Sequence, residues 1–295
     1  MISTLFKIVD LKKPVRVFDY IVVKTSLVLP SKSAIKKAFK KKQIFINGQI
    51  ATSGDWLKIG DEVFYKENNF LQQKVFPLEL EVLYEDEFLA VINKPAGYSV
   101  SGNFHKTIQN AISHNLSISK LTDAMPIARP VHRLDKLTAG ILLIAKTRLA
   151  QINLGNQFEQ QEVAKTYYAL VKGSLEGNGV YDLPIEGLAA LTEFKSLKIE
   201  KSLSYESVTL VELSPKTGRT HQLRIHLANA NHPIIGDYVH DTENVLKGKG
   251  LFLSACKIAF LHPENKKLMS FEVPIPAKYD SLFQRELRRW EKFKS

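Results

Sequence analysis

Cysteine is almost missing: Cys256 is the only one in 295 residues. An intramolecular disulfide needs two and a cysteine-built metal cluster needs more, so both are excluded. No run of eighteen apolar residues occurs, so no membrane-spanning helix is expected. The opening MISTLFKIVDLKK lacks the basic flank, long apolar run and small-residue cleavage site of a secretory leader, so none is expected. No glycine-rich phosphate loop follows a predicted strand, which removes the usual signature of a nucleotide cofactor. Internal repeats and low-complexity tracts are also missing. A reducing cytoplasm is the expected location.

Negative charge is in short supply too. Lys and Arg number 41 against 30 Asp and Glu, a formal net charge of +11. The imbalance is local. Residues 1–75 hold fourteen basic and six acidic side chains, whereas the remaining 220 hold 27 and 24. A basic patch of that kind favours a polyanion, most often nucleic acid. Charge alone supports a solvated surface equally well.

Apolar residues make up 44% of the chain, enough for a sizeable core. The polar stretch from Glu67-Asn68-Asn69 to Phe76-Pro77 marks the best boundary, dividing the chain into residues 1–75 and 76–295. In the first part, Ser31 is placed to cap a helix over 32–42. Ala34, Ile35, Ala38 and Phe39 form its apolar stripe, and Lys32, Lys36, Lys37, Lys40 and Lys41 fall on its other faces. Asn47-Gly48 then signals a hairpin turn. In the second part, Gly140 to Ala145 reads as a strand buried on both faces, residues 148–162 as a helix, and 167–171 and 208–213 as strands. Thr220 is placed to cap a helix that ends near Asn229, before Pro233, with Leu223, His226 and Leu227 on its apolar face and Arg224 beside them at the rim. The mixture predicts an α+β fold with a mixed, largely antiparallel sheet, flanking helices and a small N-terminal α/β domain.

His132-Arg133-Leu134-Asp135 stands directly ahead of the buried strand, where a carboxylate would sit at a cleft. Taken alone, an aspartate there is more often a turn cap or a partner of its neighbouring arginine. The surrounding segments change that balance. VHRLDKLTAGILLIAKT (131–147) resembles the central motif of the RluA-type RNA pseudouridine synthases. YEDEFLAVINKPAG (84–97), KTYYALVKG (165–173) and SPKTGRTHQLRIHLANANHPIIGD (214–237) follow the same family's motifs in order. Residues 15–66, with VRVFDYI, SKSAIKKAFKKKQIFINGQ and LKIGDEV, resemble the S4 RNA-binding domain.

The resemblance implies a catalytic domain at 76–295 behind an S4-like domain, acting on uridines flipped out of structured rRNA or tRNA. It implies that Asp135 is the catalytic aspartate, that Tyr167 packs on the target base, and that Arg224 pairs with Asp135. Leu223 would line the pocket and Arg133 would hold the flipped-out state, with His132 and Arg219 also on the substrate side. The lysines Lys32, Lys36, Lys37, Lys40 and Lys41 would contact RNA. Two departures stand out: Ala139 occupies a position where that family usually has serine, and Lys32 one where it often has arginine.

The chemistry suits these residue types. Pseudouridine formation breaks an N-glycosidic bond, turns the base and rejoins the same ribose carbon to C5. It needs no redox partner and no group donor, so no cofactor is expected. One carboxylate can attack the sugar or remove a proton from it, and both routes stay open. His221 and His226 are five residues apart, not at the i,i+4 spacing of zinc helices, so no metal is expected. His132 and His221 are read as orienting loops through hydrogen bonds. A monomer is expected. A non-catalytic RNA-binding protein that keeps the fold is the alternative, and an RNA methyltransferase with an S4-like module is a more distant one.

Overall fold

The computed structural model describes all residues except 1, 9, 12, 25–28, 30, 67–74, 242–247 and 295. The polar stretch at Glu67–Asn69 therefore lies outside the described residues. The chain divides into two compact units, Met1–Lys74 and Val75–Ser295.

The first unit contains β1 (Ile2–Lys7), α1 (Val17–Val23), α2 (Lys32–Lys40), β2 (Ile44–Ile46), β3 (Gln49–Ile50) and β4 (Glu62–Lys66). Its strands form one antiparallel sheet in the order β1-β4-β2-β3. Ser31 caps α2 as its sequence position predicts, its hydroxyl accepting from the Ala34 N–H at 3.2 Å. Ile35 and Ala38 bury their side chains against Val17, Ile21 and Ile44. Asn47 and Gly48 both take positive φ, which makes the tight turn that joins β2 to β3.

The second unit runs β5 (Glu81–Glu85), β6 (Leu89–Lys94), α3 (Ile108–Asn115), β7 (Ala124–Pro130), β8 (Ala139–Thr147), α4 (Arg148–Glu159), β9 (Ala164–Lys172), β10 (Asn178–Tyr181), β11 (Thr192–Ser202), β12 (Glu206–Pro215), α5 (Gln222–Asn229), β13 (Leu253–Leu261), β14 (Leu268–Glu272) and α6 (Lys278–Lys294). Ten strands form one sheet, with the main path β10-β11-β12-β9-β13-β8-β6-β5. Among its described pairings, β13 with β8 is parallel and the others are antiparallel.

The fold is the α+β architecture with a largely antiparallel sheet that the sequence predicts. Strand β8 shows why its sequence is continuously apolar. Ile141 and Leu143 enter the core under α5 and α6, while Leu142 and Ile144 enter the one under α3. A strand covered on both faces has no polar side to alternate with.

Gly140 fixes the start of this strand. Its φ is +120°, and a Cβ there would collide with the Ala255 carbonyl of β13. Only glycine lets the two parallel strands meet at Ala139–Ser254 and Gly140–Ala255. The loop that carries residues 132–138 enters the sheet at this close contact.

Candidate active site

The loop between β7 and β8 is tied down from below. Lys94, at the end of β6, is fully buried and donates to the carbonyls of Pro95 (3.0 Å), Lys136 (3.4 Å) and Thr138 (2.8 Å). Burial lowers its ammonium to about 8, and the negative charge of Asp135 works in the opposite direction. The Thr138 N–H closes the turn on the Asp135 carbonyl at 3.1 Å, and the Gly97 N–H donates to Lys136 at 2.7 Å.

His132 begins the loop. Its Nε2 accepts from the Leu143 N–H at 3.1 Å, and its ring stacks on Phe158 at 4.6 Å. Burial, helped by the charge of Lys165, pulls the imidazole down to about 3, so it is neutral. It orients the loop, as its sequence reading expects. Leu134 is buried, Arg133 is exposed, and the Asp135 carboxylate keeps 20% of its surface open.

Arg224 reaches this carboxylate from α5. Sequence spacing places Arg224 at the rim of the helix's apolar face, but the structure corrects that. The side chain is buried, and its Nε and Nη2 fork onto Asp237 at 2.8 and 2.6 Å. Its remaining Nη1 faces Asp135 Oδ2 at the longer distance of 3.4 Å. Burial alone would push the Asp237 carboxyl up. The two bonds from Arg224 and the backbone N–H groups of Val239 and His240 hold it below the ordinary carboxylate value. Asp237 thus fixes the guanidinium plane and leaves one N–H edge for Asp135. Gly236, with φ +83°, is required just before it, because a Cβ there would strike the Gly250 carbonyl.

The start of α5 also differs from its sequence reading. The helix opens at Gln222, not after Thr220, and its N-cap is His221 in the left-handed conformation with φ 56°. Gln222 explains the shift. Its side-chain oxygen accepts from the Thr217 hydroxyl and the Arg219 N–H, and its amide donates to the Leu191 carbonyl and Thr192 Oγ1. Those four bonds hold residues 217–222 as a loop and supply the ordering a cap would otherwise give. His221 Nδ1 lies 3.1 Å from His240 Nε2, and its Nε2 lies 3.8 Å from Asp135 Oδ2.

Tyr167 stands on β9 with its ring half-buried between the two cores of the unit. Burial, with the charge of Asp135 added, pushes its hydroxyl well above the ordinary tyrosine value, so it stays a phenol. Leu223 is buried, and Arg219 donates its Nε to the Ala189 carbonyl.

His132, Arg133, Asp135 and Tyr167 line one cavity of about 470 Å³. Arg219, Leu223 and Arg224 line the same cavity from its other side. The volume falls in the range typical of small-ligand sites, about 300–1,000 Å³. Lys32, Lys36, Lys37, Lys40 and Lys41 belong to the other unit, and all are exposed, the first four on α2 and Lys41 at its C-cap. Lys36 and Lys40 border a separate depression there, with Arg16 and Lys42. Sequence reasoning missed Lys94, Asp237 and His240. A lysine closing an otherwise apolar strand was a signal for Lys94; nothing local marks the other two. Among the described residues, no group of three or more His, Cys, Asp or Glu side chains could hold a metal. No described helix is long and apolar enough to cross a membrane.

Comparisons with known proteins point to one family. The profile of a family described as RNA pseudouridylate synthase matches residues 88–229. An uncharacterized RNA pseudouridine synthase of Aquifex aeolicus (strain VF5) is 34% identical over 284 residues, covering 86% of this chain and 88% of the relative. A protein of Nitrosomonas europaea described as ribosomal large subunit pseudouridine synthase D is 35% identical over 233 residues. That match covers 70% of this chain and 65% of the relative. Among solved structures, human RNA pseudouridylate synthase domain containing 1 superposes with a TM-score of 0.55 at 24% identity. It covers 66% of this chain and 83% of that one, and it shows the fold alone.

Proposed function

Because this chain belongs to the RNA pseudouridine synthase family, isomerases that act on RNA, we propose that Asp135 carries the reaction on a uridine drawn into the cavity. The observation that carries this reading is the placement of one partly open carboxylate in a cavity of nucleotide size, 3.4 Å from a buried guanidinium. The carboxylate attacks the ribose carbon or removes a ribose proton so that the base departs. Arg224 holds it in place and Tyr167 presents a flat face to uracil, a stacking contact of about 1–3 kcal/mol. Leu223 closes the apolar side. Arg133, His132 and Arg219 shape the rim where the RNA strand enters.

The target is a uridine in structured rRNA or tRNA, and the name of the Nitrosomonas relative supports the ribosomal choice. A paired or stacked uridine must be flipped out, at a cost of a few kcal/mol. The first unit acts as an S4-like RNA-binding domain, and Lys32, Lys36, Lys37, Lys40 and Lys41 offset part of that cost through phosphate contacts. The enzyme works as a cytoplasmic monomer without metal or cofactor. Mapping pseudouridines in cellular RNA with and without the protein tests this reading. Positions that lose pseudouridine in its absence identify the target; an unchanged map overturns the assignment.

A further inference from the structure

The isomerisation has a proton to dispose of. Once C5 has bonded to the ribose carbon, it still carries its hydrogen. That proton must leave so that the C–H pair forms the C5–C6 double bond. The N1–C6 π pair then moves to N1, which takes a proton from water, and the atoms balance.

Of the groups that line the cavity, Asp135 is assigned to the ribose and Glu159 is exposed beside Phe158, and few others can accept the proton. Tyr167 is a phenol and Arg224 a guanidinium. Lys94 is enclosed by three carbonyls. His132 already uses its Nε2 to accept from Leu143, and Lys165 lies at the Phe158 end, 5.9 Å from that ring centre.

His221 remains. It lines the cavity, is partly open, and stands 3.8 Å from Asp135 Oδ2. A base at that distance from the carboxylate that faces the ribose carbon is within reach of the C5 atom bonded to that carbon. If Nδ1 carries the hydrogen, it donates to His240 Nε2 at 3.1 Å, and Nε2 is left with a free lone pair towards Asp135. Burial lowers His240 first of all, with Arg224 and His221 adding to the effect and Asp237 and Asp135 opposing it. His240 is therefore a neutral acceptor. The left-handed backbone of His221 places the ring there at a conformational cost.

We propose that His221 takes the C5 proton at Nε2 and passes its Nδ1 proton to His240, which returns one to solvent. The inference rests on the assignment of Asp135 to the ribose.

The test uses the full chain in single turnover, with RNA from cells that lack the protein and the same RNA deuterated at uridine C5. His221→Asn removes the base while keeping a residue that tolerates the left-handed conformation. The expected result is a rate about 10²-fold lower, RNA affinity retained, a deuterium effect that the wild type lacks, and recovery with added imidazole. His240→Gln should show the same signs at about a tenfold loss. A His221→Asn rate within about twofold of wild type overturns the proposal, as does a slow variant with neither isotope effect nor rescue. If His221→Asn does not fold, His240→Gln decides by the same readouts. Asp135→Asn is run alongside: activity there removes the underlying assignment, whereas its inactivity with unaltered isotope behaviour in the histidine variants removes only the relay.

Discussion

The two units use positive charge in opposite ways. On α2 and its C-cap, five lysines stand exposed, and no acidic partner is seen for any of them among the described residues. Around the cavity, Lys94 and Arg224 are buried, and each has named acceptors. An exposed lysine is a mobile point charge that contributes affinity and is screened by salt. A buried, forked arginine contributes geometry, and removing its partner leaves a charge stranded. Charges on the first unit should therefore substitute for one another, and those of the second should not.

Arg224→Met should break this contrast most severely. It strands the buried Asp237 carboxylate, which costs about 3–5 kcal/mol in denaturant unfolding, and turnover should collapse. A loss below about 1 kcal/mol would mean the fork carries no structural weight. Asp237→Asn keeps one acceptor, so about 1–3 kcal/mol should be lost, with slower single turnover and little change in RNA affinity. Replacing Lys32, Lys36, Lys37, Lys40 and Lys41 by glutamine should weaken RNA binding and flatten its salt dependence by about 0.7–0.9 per contact removed. The single-turnover rate at saturating RNA should stay near wild type. An unchanged salt slope would make the basic helix a bystander.

The smallest effect concerns His132. Its folded value, about 3, lies below its unfolded value of 6.5, so the folded state binds fewer protons between them. Its contribution is full above pH 6.5 and shrinks as pH falls, by at most about 2 kcal/mol at pH 5. His132→Gln keeps an acceptor that does not titrate. Its unfolding free energy should fall less between pH 7 and 5 than that of wild type.

Local signals read well from sequence. The Ser31 cap, the Asn47-Gly48 turn and the doubly buried 141–144 run each depend on neighbours a few residues away. Asp135, Tyr167 and Arg224 were named from motif resemblance, and the fold brings all three to one cavity. The misreadings are non-local. Thr220 has the chemistry of a helix cap, but Gln222 donates its side-chain amide to residues 191 and 192 and moves the helix start. Arg224 looks like a rim residue because its helix alone does not reveal Asp237, thirteen positions on, folded beneath it. Nor does any periodicity tell that Lys94 supports a loop more than forty residues away.

Single-turnover pseudouridine formation by Asp135→Asn, with RNA affinity measured on the same preparation, addresses the carboxylate itself. The amide keeps the shape of the side chain and removes its charge. Binding should stay within about threefold of wild type while product formation drops at least about 10²-fold. Turnover at the wild-type rate would contradict the assignment of the chemistry to this oxygen.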